Sequence, residues 1–152
     1  METAPQLQFL DERLCFALYS SSKAVMGAYQ PYLAEMGITY PQYLVCIALF
    51  EKGEMNVREL GAILFLDSGT LTPLLKRMEA AELVTRRRNP EDDRKVLIRL
   101  TGKAKSLSDG IAIMQREVSQ KTCLQSSDFQ NLKKLLQELN LRMRDIPEYQ
   151  PS

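Results

Sequence analysis

Three cysteines, Cys15, Cys46 and Cys123, and no histidine bound the chemistry open to this 152-residue chain. A thiolate is a nucleophile and a metal ligand, so each cysteine has to be asked what surrounds it. The absence of histidine removes Cys–His and Ser–His catalytic pairs and every His-containing zinc site. An enzyme is not excluded by this, but the commonest catalytic machinery is missing, and the expectation is a protein without metal, cofactor or enzyme activity. An odd number of widely spaced cysteines does not make a disulfide framework. Cys46 lies inside YLVCIALF and reads as a small buried hydrophobe. Cys15 falls in the early turns of the first expected helix, where the helix dipole favours negative charge. On its residues alone it is either a structural thiol or a reactive one.

A second constellation is polar and basic. The segment NVRELGAILFL predicts a helix capped by Asn56, with Val57, Leu60, Ile63 and Leu64 at spacings of three and four. A turn near Leu66–Asp67 leads into DSGTLTPLLKRMEAAEL, a helix capped by Asp67 or Ser68, with Pro73 tolerated in its opening turns. Leu71, Leu74, Leu75 and Met78 make its apolar face, while Ser68, Thr70, Thr72, Lys76 and Arg77 point elsewhere. A helix with a small polar and basic outer face, held by the helix before it, is how a helix-turn-helix reads a major groove.

Two strands follow, Leu83 to Arg88 and Lys95 to Leu100, around a turn-rich tip from Asn89 to Arg94. Together residues 56 to 100 predict a winged helix-turn-helix that binds double-stranded DNA. The wing can set Arg94 in a minor groove, with Lys76, Arg77, Arg86, Arg87, Arg88 and Lys95 available to phosphates. A hairpin alone could equally be structural with a solvated tip; its position directly after a helix-turn-helix favours DNA.

Charge is distributed to match. The chain carries a net +1, which is no nucleic-acid signature, but Arg86 to Lys105 holds eight basic and three acidic residues. That stretch is +5 and the remainder is −4. Apolar residues make up 45% and charged residues 26%, enough for one domain with a sizeable core. The N-terminus has acidic residues and no apolar core of a secretory signal, and no run is long enough to span a bilayer. A cytoplasmic protein with no membrane partner is the expectation.

The elements around the reader are helical, so the fold class expected is mainly α with a small β-hairpin wing. Residues 1 to 6 read as weakly held. A long helix runs from about Gln8 through Leu10, Leu14, Leu18, Val25, Tyr29 and Leu33, with a kink or stop at Pro31 and an end at Gly37. Thr39 and Pro41 open the next helix and Gly53 closes it, with Tyr43, Leu44, Ile47 and Phe50 as its apolar face. Thr101 caps a long helix with Ala104, Leu107, Ile111, Met114 and Val118 in a seam. A last helix from about Ser126 to Ile146 carries Phe129, Leu132, Leu135, Leu136, Leu139 and Met143. One winged domain cannot cover all these stripes. Residues from about 8 to 36 and 102 to 146 are expected to form dimerisation helices within a single 152-residue domain, pairing through Leu10, Leu14, Leu132, Leu136 and Leu139. A homodimer would place two recognition helices on half-sites one helical turn apart.

The order of these elements resembles the MarR family of bacterial regulators. LCFALYSSSKAV, ITYPQYLV, ELGAILFLDSGTLTPLLKRMEAAELVTRR and PEDDRKVLIRLT are similar, more closely, to its organic-hydroperoxide-sensing members, the OhrR-like regulators, over roughly residues 10 to 105. The resemblance implies a transcriptional repressor that leaves its operator when a cysteine is oxidised by an organic hydroperoxide. It puts the sensing thiol on Cys15, its hydrogen-bonding tyrosines on Tyr29 and Tyr40 across a dimer interface, and a wing pair on Asp92 and Arg94. It also puts a resolving cysteine, used by some members, in the region of Cys123.

Three other readings compete. A MarR-type repressor could be released by a small aromatic ligand, with Cys15 structural. A thiol peroxidase would turn peroxide over at Cys15, but lacks a nearby histidine and any sign of a thioredoxin-type fold. A structural winged-helix module would show no salt-sensitive DNA binding.

Overall fold

A computed structural model describes residues 9–144; the side chains of Asp93 and Arg94 lie outside the described residues, as do the N-terminal segment expected to be weakly held and Ile146. The chain falls into two compact units, Met1–Gln115 and Arg116–Ser152.

In the first unit a 3-10 turn, Leu10–Glu12, precedes helix α1, Leu14–Met36. Of the kink or stop expected at Pro31, the stop is absent: helix α1 runs through it. A proline forfeits one hydrogen bond to the carbonyl four residues back. Here Gly27 and Pro31 are both exposed, so water can satisfy the freed carbonyl. The helix stops where Gly37 adopts φ 69°, with the Ile38 N–H donating to the Leu33 carbonyl at 3.0 Å.

Helix α2, Tyr40–Lys52, starts from a reciprocal cap: the Thr39 N–H donates to Gln42 Oε1 at 2.9 Å and the Gln42 N–H to Thr39 Oγ1 at 3.4 Å. Its buried residues are Tyr43, Val45, Cys46, Ala48 and Leu49. The expected face was rotated: Leu44 and Ile47 are only half-buried and Phe50 is exposed. The helix is enclosed on more than one side, so a single apolar stripe does not describe it.

Strand β1, Met55–Asn56, leads directly into helix α3, Val57–Leu64. Asn56 serves both elements. It pairs with Leu97 in the sheet, its side chain accepts from the Glu59 N–H at 2.9 Å, and its own N–H donates to Glu59 Oε2 at 2.9 Å. Phe65 ends α3 in the left-handed region at φ 56°. Helix α4, Ser68–Ala80, packs Leu71, Leu74, Leu75 and Met78 into the core. Strands β2, Val84–Asn89, and β3, Asp92–Leu100, complete an antiparallel sheet in the order β1-β3-β2. The fold is a winged helix-turn-helix, as expected, with the unexpected strand β1 on the open edge of the hairpin.

Beyond the wing the expected continuous helix is two. Helix α5 is Gly102–Lys105 and α6 is Ser108–Lys121. Between them Ser106 Oγ donates to the Lys103 carbonyl at 2.7 Å, a local bond that competes with helix continuation. In the second unit, helix α7 spans Ser126–Arg144 and none of its residues is buried. Leu132, Leu135, Leu136, Leu141 and Met143 all face solvent in the single chain.

The turn between α3 and α4 is close-packed. A side chain at Gly61 would put its Cβ 2.7 Å from the Leu66 carbonyl oxygen. Gly61→Ala should therefore shift the turn and cost about 1–3 kcal/mol of stability, as overpacked substitutions do, read as a lowered denaturant midpoint.

Candidate nucleic-acid interface and thiol site

The outer face of α4 is set by what its inner face buries. With Leu71, Leu74, Leu75 and Met78 inward, Ser68, Thr70, Lys76 and Arg77 are exposed and Thr72 is half-buried. Asp67 caps the helix, accepting from the Thr70 N–H at 2.8 Å and the Thr70 hydroxyl at 3.0 Å. These bonds hold the Asp67 carboxyl below its ordinary range. Thr70 is thus partly committed to the cap. Lys76 and Arg77 make no ion pair among the described residues and face water.

The wing divides its cations by the two-residue alternation of a strand. Val84 is buried, so Arg86 shares its inward side, opposite Ile98. Arg86 is half-buried, with Nη1 3.6 Å from Glu79 Oε2 on α4 and its Nε without a hydrogen-bond partner among the described residues. Arg87 turns outward and grips Glu54 with two bonds, Nη2 to Oε1 at 2.8 Å and Nε to Oε2 at 3.2 Å. That pairing holds the Glu54 carboxyl low. Arg88 is exposed and forms no ion pair among the described residues.

At the tip the register shifts between Arg88 and Asn89. The Glu91 N–H donates to Asn89 Oδ1 at 3.0 Å, a side-chain turn that lets β3 begin at Asp92, earlier than expected. Arg94 consequently belongs to β3 rather than to the loop, and its side chain is outside the described residues. Asp92 lies 3.7 Å from Lys95 Nζ. The base of the wing is tied to the end of α4 by bonds that the sequence spacing does not show. Thr101 Oγ1 donates to the Glu82 carbonyl at 2.6 Å, and Lys103 Nζ to the Ala81 carbonyl at 2.8 Å, at the C-terminal end of the recognition helix.

The three cysteines occupy different environments. Cys46 is fully buried, and burial pushes its thiol up to about 11. Cys15 is exposed, second residue of α1. Cys123 is exposed in the link between α6 and α7, at φ 53°. Tyr29 and Tyr40, the expected thiol partners, are brought together: their rings lie 5.6 Å apart, edge to face. Tyr29 is pushed up to about 12, mainly by burial and then by its tyrosine neighbours, and Tyr40 is raised for the same reasons. Both stay neutral hydrogen-bond donors throughout the physiological range. A third ring, Tyr43, completes the cluster.

A winged helix-turn-helix with a basic outer face defines a DNA-binding regulator of transcription. Residues 28–111 match the family model of the transcriptional regulator SarA/Rot. A Bacillus subtilis protein described as an organic hydroperoxide resistance transcriptional regulator is 47% identical over 109 residues, 72% of this chain and 70% of that protein. Reduced AbfR bound to DNA, from a regulator of Staphylococcus epidermidis, superposes with a TM-score of 0.77 at 32% identity, covering 91% of this chain and 96% of that one. The disulfide-formed state of AbfR gives a TM-score of 0.64 at 34% identity, covering 86% and 91%. The chain belongs to the MarR/SarA family of winged-helix transcriptional regulators. No single helix among the described residues is long and apolar enough to cross a membrane.

The environment of Cys46 predicts its reactivity. In the native protein a thiol reagent at neutral pH should label Cys46 last of the three, at the rate of unfolding; labelling of Cys46 as fast as Cys15 would contradict its burial.

Proposed function

We propose that this chain is a dimeric repressor that binds operator DNA when reduced and releases it when an organic hydroperoxide oxidises Cys15. The observation that carries the reading is a cluster of tyrosines, Tyr29, Tyr40 and Tyr43, in a chain that also exposes a thiol, Cys15, in the first turn of α1. The likeness to a hydroperoxide-resistance regulator and to a regulator known in reduced, DNA-bound and disulfide states supports it.

In the proposed dimer, the exposed Leu10, Leu14, Leu132 and Leu136, with the half-buried Leu139, are covered in the interface, and Cys15 meets Tyr29 and Tyr40 across it. The Cys15 thiolate attacks the terminal oxygen of the hydroperoxide. An S–O bond forms, the O–O bond breaks, and the departing alkoxide takes a proton to leave as an alcohol. The product is a sulfenic acid in a packed site, and a polar group left unpaired there costs about 1–3 kcal/mol. Where Cys123 of the other subunit comes within reach, with α-carbons about 7 Å apart or less, its thiol displaces water from the sulfenic acid to form a disulfide. On the DNA side, the polar face of α4 enters the major groove. Arg88 and Lys95 flank the phosphates, while Arg86, expected there from the sequence, is turned inward against Glu79; Arg94, oriented by Asp92, enters the minor groove.

Two measurements test this. Arg94→Ala should weaken operator binding by about 1–3 kcal/mol, as the loss of one good groove contact does; unchanged affinity at moderate salt would remove the wing from the interface. In an operator titration before and after a stoichiometric dose of cumene hydroperoxide, wild type should lose at least about tenfold in affinity, or about 1.4 kcal/mol. Cys15→Ser should bind as the reduced wild type does and ignore the peroxide. Release of that variant by peroxide would sink the sensor assignment.

A further inference from the structure

The rotation of α4 puts an unexpected pair at the middle of its outward face. Leu71, Leu74, Leu75 and Met78 are buried. At about 100° per residue, the direction opposite them is shared by Gly69, Pro73, Lys76 and Ala80, spaced by four, three and four. All four are exposed, and Ser68, Thr70, Thr72 and Arg77 flank the line they make. The middle of the face thus holds a residue without a side chain and a residue without an N–H. At Gly69 the missing Cβ lets another molecule approach the backbone closely; a Cβ there would meet only the capping carboxylate, Asp67 Oδ1, at 3.0 Å. Pro73 lies inside the helix. In an α-helix the N–H of residue 73 would donate to the carbonyl of residue 69. Proline has none, so that bond is missing and the Gly69 carbonyl keeps its acceptor capacity.

Proline is the poorest residue for a helix interior, and at an exposed position core packing does not require it. What it creates is a pair of groups side by side: a carbonyl without its helical donor and an apolar ring. In the major groove adenine presents its N6 amino group as a donor, cytosine its N4 amino group, and thymine a C5-methyl, while guanine presents acceptors. Only an A·T pair offers a donor and a methyl together. We propose that Gly69 and Pro73 are a specificity element that reads one A·T pair in each half-site. The Gly69 carbonyl accepts from the adenine N6 amino group, and the Pro73 ring packs on the methyl of the paired thymine. This inference rests on the reading that α4 enters the major groove. Neither group loses side-chain freedom on binding, because glycine and proline have none to lose. The flexible Lys76 and Arg77 do lose it, so the rigid pair discriminates at lower entropic cost than the cations beside it.

The test uses the full-length reduced protein and a pool of duplexes with a random segment of about three helical turns, about 30 base pairs. Wild type selects its preferred duplex by repeated binding and recovery. In that duplex each adenine of one half-site is replaced in turn by purine, which lacks the N6 amino group, and each thymine by deoxyuridine, which lacks the methyl. One A·T pair should show both penalties in affinity, about fivefold for the lost hydrogen bond and about fourfold for the lost methyl contact. Pro73→Ala removes the ring and restores an N–H to the Gly69 carbonyl, and alanine favours the helix, so the variant folds. In it both penalties at that pair should fall below about twofold, while substitutions elsewhere keep theirs. If no pair shows both penalties, or if they persist in Pro73→Ala, the assignment is overturned and α4 remains the reader by its other residues. A wild-type protein that enriches no sequence from the pool overturns the reading of α4 itself, and this inference with it.

Discussion

The burial of Leu71, Leu74, Leu75 and Met78, none more than 5% exposed, fixes the rotation of α4, and most of what the molecule presents to DNA depends on that rotation. Each such side chain contributes about 1.5–3 kcal/mol when removed from water, so together they outweigh anything the polar face could do to turn the helix. The cap at Asp67 does a different job. It sets where the helix begins, and hence how far Ser68 and Thr70 stand forward of the body. Gly61 lets the preceding helix come close enough for this arrangement, since its missing side chain is where the Leu66 carbonyl lies. Lys76 and Arg77 then face outward as a consequence of packing.

The wing applies the same logic to charge. The +5 stretch from Arg86 to Lys105 is not a uniform supply of phosphate contacts. Arg86 leans on Glu79, Arg87 grips Glu54, and Lys103 holds the Ala81 carbonyl. These cations fasten the hairpin to the end of α4 and to the loop before β1. Exposed pairs of this kind add little stability and weaken with salt, but they fix the angle at which the wing leaves the body. Basic residues without such a partner, Arg88 on the wing and Lys76 and Arg77 on the helix, remain available to counter-charges from outside.

Much of this was legible because its signals are local. Capping residues and glycines announce themselves within four positions, and Thr39, Asn56, Asp67 and Gly37 all marked true boundaries. The failures came where the deciding interaction was not local. Strand β1 is two residues long, too short to show alternation, and exists because β3 offers an edge. The break between α5 and α6 left no trace in the apolar spacing, because a short local bend preserves a three-and-four pattern. The inward turn of Arg86 follows from alternation counted from Val84, but its partner Glu79 lies on another element. At the thiol site, the inertness of Cys46 could be read from its apolar neighbours. The pairing of Tyr29 with Tyr40 was reachable only through resemblance, and the hydrogen bond from the Gln115 amide to the Tyr43 hydroxyl joins positions that no periodicity connects.

What links the two ends of the proposed mechanism is that the first turn of α1 serves two purposes. Cys15 is adjacent to Leu14, and Leu14, Val25 and Met26 are exposed on a helix buried only toward its C-terminal end at Leu33. In the proposed dimer that apolar surface is interface, so a change at sulfur is a change in packing. The magnitudes are compatible. An oxygen added to a filled site strains its surroundings or leaves a polar group unpaired, at about 1–3 kcal/mol. Two packings of a bistable dimer differ by a few kcal/mol. A perturbation of the same size as the gap shifts the population of the DNA-binding arrangement without unfolding anything. The winged domain need not sense peroxide at all. Its recognition helix is locked by core packing, and the only quantity that oxidation has to alter is the distance between two rigid readers.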